Sequence, residues 1–100
     1  MDKKLKARWI KALESGRYKQ GKGRLKKEDR YCCLGVLREV YSPNYPKGEM
    51  GIDAGLLSSR LSAELGISKE TQCELAHMND GDDREQQSFE QIAQWIMKRL

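Results

Sequence analysis

Apolar residues recur at helical spacing at both ends of the chain, where they predict the first and the last helix. The first of these helices is expected to end at Ser15-Gly16. Its apolar residues are Leu5, Trp9, Ala12 and Leu13. The last helix opens with a capping box formed by Ser88 and Gln91. Its apolar face is predicted to contain Phe89, Ile92, Ala93, Ile96 and Leu100.

The middle of the chain predicts three further helices. One starts near Leu34 and ends before Pro43, because the residue that precedes a proline disfavours helical backbone. Residues 42–55 are rich in turn-forming residues and predict an irregular connection. Two more helices follow, and Gly66 ends the first while Ser68 caps the second. The apolar positions of this pair are Leu56, Leu57, Leu61, Leu65, Leu75 and Met78.

Between the first two helices the chain predicts a loop and a polar β-hairpin. Residues 16–23 contain three glycines and are expected to be a loop. Short strands at 24–26 and 30–33 then flank a turn at 27–29 whose tip protrudes. Together these elements predict a mostly helical α+β fold, with a short N-terminal β-hairpin packed against about four to five helices. Residues 1–100 are expected to form a single domain, since a chain of this length supports one modest core.

Positive charge is concentrated in the first half of the chain. Residues 1–50 contain 14 Lys/Arg and 6 Asp/Glu, a net charge of +8, whereas residues 51–100 contain 5 and 9, a net charge of −4. This asymmetry predicts a basic face that binds an anionic partner. Two alternatives stay open, because the two halves could neutralise each other within the fold or associate head to tail between copies of the chain.

The candidate for this basic face is the hairpin together with the glycine-rich segment before it. Its cations are interleaved with tyrosines, and its glycines leave backbone N–H groups available to an anion. A solvated surface without a ligand is the competing interpretation. The candidate ligand-binding or partner-binding residues are Tyr18, Lys19, Gln20, Gly21, Lys22, Gly23, Arg24, Lys26, Lys27 and Arg30.

Residues 16–22 have the spacing of a nucleotide phosphate-binding loop but not its context. That motif needs Ser or Thr after the lysine, and Gly23 occupies this position. It also lies between a buried strand and the N-terminus of a helix, which faces the phosphates. Here a helix precedes the loop and a strand-like segment follows it, so nucleotide hydrolysis is not expected.

A zinc site is an alternative suggested by residue types alone. Cys32, Cys33, Cys73 and His77 supply three thiols and one imidazole, which are ligands that zinc prefers. The adjacent Cys32 and Cys33 would chelate one ion only with strain, and the favoured interpretation is that one of them is a small core residue and the other is half-exposed. Neither a pair of carboxylates nor an ordered nucleophile and base is evident. We therefore predict no metal, no cofactor and no enzymatic activity.

Residues 61–75 resemble a DNA-binding helix-turn-helix, with the turn at 65–68. Gln72 stands where that motif buries Val or Ile, and Ser62 stands where it usually has alanine. The second helix carries Glu70 and Glu74 against Lys69, so it would repel phosphates. Nucleic-acid binding is therefore the alternative function, either through this segment or through the basic N-terminal half.

The chain is predicted to be soluble and cytoplasmic, with no membrane partner. No apolar run approaches the roughly 18 residues that span a bilayer, and the start of the chain lacks an apolar signal core. Three cysteines, an odd number, are typical of reduced thiols. The oligomeric state is not determined by these patterns, although Trp95 and Met97 lie off the apolar face of the last helix and suggest a contact in a homo-oligomer.

Four segments give the chain a resemblance to a known group of proteins. They are WIKALESGRYKQGKGRL and RYCCLGVLREVY in the first half, and LAHMND and SFEQIAQWI in the second half. In this order they resemble the pattern of a group of small uncharacterised phage and prophage proteins. The resemblance implies a phage or prophage accessory protein of the host-cell cytoplasm, and it carries over no functional residue.

The expected function is non-enzymatic binding by a phage-type accessory protein. A protein of this class and size would occlude a host factor or sequester a defence signal, so host interaction or counter-defence is the expected role. The partner would be a host protein or an anionic nucleotide ligand, bound through the basic Gly/Lys-rich hairpin.

Overall fold

A computed structural model describes residues 1–42, 55–81 and 85–100 of the chain. The mostly helical α+β fold predicted from the sequence is confirmed. Within the described ranges, no helix is long and apolar enough to cross a membrane. The elements in these ranges are α1 (Lys3–Glu14), β1 (Lys19–Gln20), β2 (Lys26–Lys27), β3 (Arg30–Tyr31), α2 (Cys33–Tyr41), α3 (Ser59–Leu65), α4 (Lys69–Asp80) and α5 (Phe89–Arg99).

Helix α1 packs against both α2 and α5. It begins at Asp2, whose carboxylate accepts a hydrogen bond from the Leu5 N–H at 2.8 Å and so caps the helix. The predicted apolar stripe is confirmed, and Ile10 is buried beside it. Trp9 is fully buried, and its indole N–H donates to the Cys33 carbonyl at 2.9 Å. This bond joins the middle of α1 to the first residue of α2.

The three strands form one small sheet in the order β1-β3-β2. Strands β2 and β3 are the predicted antiparallel hairpin, whereas β1 runs parallel to β3 inside the segment that was expected to be a loop. That expectation is wrong because β1 consists of one lysine and one glutamine, so no alternation of apolar and polar residues marks it as a strand. Its pairing depends on β3, which lies further along the chain.

The hairpin is shorter than predicted, and both of its strand boundaries differ. Its turn consists of Glu28 and Asp29, and Glu28 has a left-handed φ of 57°, as a two-residue hairpin turn requires. Strand β2 lies further along the chain than the predicted strand at 24–26, and β3 ends before the cysteines. Cys32 is the N-cap of α2 and Cys33 is its first residue. The Cys32 N–H still donates to the Leu25 carbonyl at 3.2 Å, one bond beyond the strands.

The helix ends predicted in the second half are confirmed by their caps. Gly66 ends α3 in the left-handed conformation with φ 69°, and Ser68 caps α4 by accepting from the Thr71 N–H. Ser88 and Gln91 form the predicted capping box of α5. The prediction that Leu100 lies on the apolar face is wrong. Helix α5 ends at Arg99, and the Leu100 side chain is exposed. The predicted connection at 42–55 lies almost entirely outside the described residues.

Helix α2 approaches the hairpin most closely at Gly35. A Cβ atom on this residue would lie 2.6 Å from the Leu25 carbonyl carbon, closer than side chains tolerate. Leu25 is fully buried, so neither backbone has room to withdraw without opening the core. The contact needs a residue without a side chain, and it fixes the hairpin against α2.

Candidate functional site

One face of the sheet carries a row of three cations. Lys19 in β1 pairs in register with Arg30 in β3, and Arg30 pairs in register with Lys27 in β2. All three residues are exposed. Neighbouring strands lie about 4.8 Å apart, and like charges directly opposite each other on a sheet are destabilising. A row of this kind favours an anion placed over it.

Two of these cations have partners within the chain. Lys19 Nζ lies 3.0 Å from Asp29 Oδ2, and because both side chains are about two-thirds exposed, this ion pair contributes little to stability. The hydrogen bond from Lys19 lowers the pKa of Asp29. Arg30 donates from Nη1 to the Gln20 carbonyl at 3.2 Å. Lys27 makes no hydrogen bond or ion pair with a described residue.

Five of the ten predicted site residues line a single cleft of about 270 Å³, which we call the basic cleft. Glu28 is the sixth residue of its lining and the one carboxylate among them, so four cations face a single negative charge. The Lys22 and Arg24 side chains, like that of Lys27, have no ionic partner among the described residues. The predicted residues that line the cleft are Gly21, Lys22, Arg24, Lys27 and Arg30.

The other predicted residues lie outside the lining of the basic cleft. Tyr18 meets Tyr31 edge to face, with ring centroids 5.1 Å apart, and Lys26 Nζ lies 5.2 Å from the Tyr31 ring centroid. Burial and the nearby Glu39 carboxylate raise the pKa of Tyr18. These contacts support the sheet. They do not place Tyr18 beside an anion in the cleft.

The predicted role of the glycine amides is wrong. The Gly21 N–H donates to the Tyr31 carbonyl at 2.7 Å, and the Gly23 N–H donates to Asp80 Oδ1 at 3.0 Å. Both amides are therefore occupied by acceptors of the chain itself and are not available to an external anion. Any anion in the basic cleft would be held by lysine and arginine side chains, which is not how a nucleotide phosphate-binding loop works.

A buried amide anchors the loop that carries the cleft. Asn79 is fully buried, and its Nδ2 donates to the Gly21 carbonyl at 2.8 Å and to Asp80 Oδ1 at 3.0 Å. Its Oδ1 accepts from the Cys33 N–H at 3.2 Å and from Gln20 Nε2 at 3.1 Å. One side chain of α4 thus holds the glycine loop, strand β1 and the start of α2 in place.

The importance of Asn79 was missed at the sequence level, where it was not among the candidate site residues. A usable indication was present, because Asn79 stands four residues after Leu75 and seven after Gln72, on the same helix face. All three residues are buried. A polar residue on the buried face of a helix needs hydrogen-bond partners from another segment. Which segment supplies them depends on the tertiary fold.

The four residues of the zinc hypothesis do not come together. Among the residues that the structure describes, no group of three or more Cys, His, Asp or Glu side chains could hold a metal ion. Cys32 and Cys33 are buried, Cys73 is half-buried and His77 is exposed. Cys33 Sγ donates to the Leu75 carbonyl at 3.7 Å, and burial raises the pKa of this thiol well above its usual range. One cysteine of the pair was expected to be half-exposed, and that expectation is wrong, because both Cys32 and Cys33 lie in the core.

We expect only Cys73 to react with a thiol reagent while the chain is folded, because Cys32 and Cys33 are 3% and 0% exposed. Titration with dithionitrobenzoate at mildly alkaline pH should give one fast thiol in buffer and all three in concentrated guanidinium chloride. Cys73→Ser should abolish the fast reaction and serves as the control. Two or more fast thiols in the folded state would contradict this burial.

The helix-turn-helix resemblance has a packing explanation. Gln72 is buried, its Oε1 accepts from the Leu57 N–H at 3.0 Å, and its Nε2 donates to Ser62 Oγ at 2.8 Å. The two departures from the motif are therefore partners in one contact between α3 and α4. On the surface of α4, the exposed Glu70 stands beside the exposed Lys69, so this helix offers no concentrated positive charge. DNA binding by this segment stays a prediction.

The comparisons with known proteins concern the part of the chain that carries the cleft. Residues 1–49 match a family model described as Domain of unknown function (DUF8296). The matched range includes α1, the sheet and α2, and with them every residue that lines the basic cleft. No curated protein and no solved structure matches the chain.

Proposed function

We propose that this chain is a binding protein whose basic cleft takes up a phosphate group of an anionic partner. The observation that carries the proposal is the convergence of Lys22, Arg24, Lys27 and Arg30 on one cleft of about 270 Å³ with a single opposing carboxylate. A cleft lined by one sign of charge concentrates field lines and raises the local concentration of a ligand of opposite charge. Its volume is near the lower end of the range for small-ligand sites, and its cationic lining suits a phosphate group.

The proposal also rests on how the cations are held. Arg30 is oriented by the Gln20 carbonyl, and the neighbouring loop is anchored by the buried Asn79. An arginine fixed in this way can bind two phosphate oxygens with little further loss of conformational freedom. Lys22, Arg24 and Lys27 have no competing ion pair with a described residue, so binding would break no existing contact.

The biological setting is proposed from the sequence resemblance. The segments that resemble those of small phage and prophage proteins favour an accessory role in which the chain engages a host molecule. The proposed partner is a phosphate-bearing host molecule or signal, which the chain would sequester or occlude by binding.

Charge reversal in the basic cleft should weaken binding of inorganic pyrophosphate. Lys22→Glu and Lys27→Glu each remove a charge-assisted contact and add repulsion, so each should weaken binding at least about tenfold. Lys98→Glu, which makes the same change of net charge on the exposed surface of α5, should leave it unchanged. Calorimetry or the ligand-induced rise in melting temperature measures the effect.

Two results would count against the proposal. The first is the absence of pyrophosphate binding to the parent chain at low salt. The second is an equal loss of affinity in Lys27→Glu and Lys98→Glu, because that would mean that pyrophosphate responds to net charge and not to the cleft.

A further inference from the structure

A second basic surface lies between α1 and the end of α2, and we call it the α1 groove. It has a volume of about 410 Å³ and is lined by Arg8, Lys11, Arg17 and Tyr18, with Glu39 as the one carboxylate of its lining. Arg8 donates from Nη2 to the Val40 carbonyl at 2.7 Å, which ties α1 to α2. The side chains of Lys11 and Arg17 make no hydrogen bond or ion pair with any described residue. This surface was not among the sites predicted from the sequence.

The tyrosine pair connects this groove with the basic cleft. Tyr18 lines the α1 groove, and its ring meets Tyr31 at a centroid distance of 5.1 Å. Tyr31 directly follows Arg30, which lines the basic cleft. Because successive strand residues point to opposite faces, Arg30 and Tyr31 carry the two sites on opposite faces of the sheet, and a bound strand would pass from one site to the other around the sheet edge. Both tyrosines are half-buried, so each remains partly accessible, and Tyr18 is accessible on the side of the α1 groove.

We infer that the two sites together bind single-stranded nucleic acid, an inference that rests on the proposed function of the basic cleft. The two sites together are lined by seven lysine and arginine residues and two glutamates. This is more positive charge than is needed to bind one phosphate group. Positive grooves that follow a phosphate backbone, with exposed aromatic rings on which bases stack, are the common features of single-strand binding. A double helix fits less well, because the helix that would enter its groove, α4, carries Glu70 beside Lys69.

The dependence of affinity on salt distinguishes one site from two. Each phosphate neutralised on a single strand contributes about −0.7 to the slope of log K against log salt concentration. Seven cations predict a slope of about −5 for an oligonucleotide of about ten residues, and the four of the basic cleft alone predict about −3. Fluorescence anisotropy with labelled oligothymidylate and oligouridylate, over a salt series, measures the slope for DNA and RNA separately.

Variants of the α1 groove test the inference independently of the cleft. Lys11→Ala combined with Arg17→Ala should reduce the slope to about −3.5 and leave the affinity for pyrophosphate unchanged. Tyr18→Leu keeps an apolar side chain but removes the ring, and it should weaken oligonucleotide binding about tenfold through lost stacking. Lys98→Ala should change neither property. Circular dichroism and the melting temperature verify that each variant is folded.

The outcomes separate the two proposals. Pyrophosphate binding with an oligonucleotide slope near −3, unaffected by the double variant, would overturn the inference and leave the proposed function intact. Loss of all anion binding would overturn both. Equal affinity for polyglutamate of matched charge would overturn the nucleic-acid inference, since an acidic protein surface would then satisfy the site. Equal slopes for both oligonucleotides, with weaker binding of the matching duplex, are the result that we expect.

Discussion

Gly35→Ala is expected to lower the free energy of unfolding by about 3 kcal/mol, although alanine is the better helix former. A Cβ at this position would meet the backbone of Leu25, not the end of a flexible side chain, and would lie 2.6 Å from its carbonyl carbon. Leu25 is fully buried between the hairpin and α2, so relief requires the hairpin to move away from the helix. A loss of this size is a large part of the 5–15 kcal/mol that stabilises a typical domain.

Urea denaturation followed by circular dichroism measures this effect. Gly16→Ala is the control for steric contact, because Gly16 has a left-handed φ of 76° but no atom lies within 4 Å of the new Cβ. It should cost about 1 kcal/mol from backbone conformation alone. An increase in the urea midpoint of Gly35→Ala, as helix propensity alone predicts, would show that α2 and the hairpin are not in close contact.

The helices were predictable because their residues repeat a pattern. In α1 and α5 the apolar stripe and the capping residues lie within the element itself, so local sequence contains the information. The strands were harder, because each has two residues and is defined by its partner. Strand β1 exists because Lys19 and Gln20 lie beside Arg30 and Tyr31, a relation between distant segments that no local pattern contains.

The candidate site was predictable in composition and not in geometry. The concentration of cations at residues 19–30 indicated the segment that lines the basic cleft, but strand register decides which side chains share a face. Register places Lys19, Arg30 and Lys27 in one row, and it places Tyr31 and Lys26 in the other. The occupied glycine amides and the α1 groove follow from contacts with α4 and α2, which cannot be inferred from spacing along the chain.

Asn79→Ala is expected to lower the free energy of unfolding by about 3 kcal/mol and to disorganise the basic cleft. The substitution removes a partner from the buried Cys33 N–H and from the partly buried Gly21 carbonyl, and an unsatisfied buried group costs about 1–3 kcal/mol. Because the same side chain positions the loop next to Lys22, pyrophosphate affinity should also fall. Gln94→Ala, which removes an exposed amide from α5, should change stability by less than about 0.5 kcal/mol.

Asn79→Asp isolates the donor half of this anchor, because it keeps the shape and the acceptor but turns Nδ2 into an oxygen facing the Gly21 carbonyl and Asp80. Burial and the neighbouring carboxylate would raise the pKa of the new carboxyl group above its unfolded value. The folded state would then bind a proton on this carboxyl group more tightly than the unfolded state does. The variant should therefore gain stability as pH falls through the raised pKa. In the parent chain, Asp29 gives the opposite pH dependence. Because its pKa is lowered in the folded state, its small contribution to stability is lost as pH falls. Urea midpoints over an acidic pH series would therefore converge for the two proteins, and a constant gap between them would show that Nδ2 does not act as the donor that holds the loop.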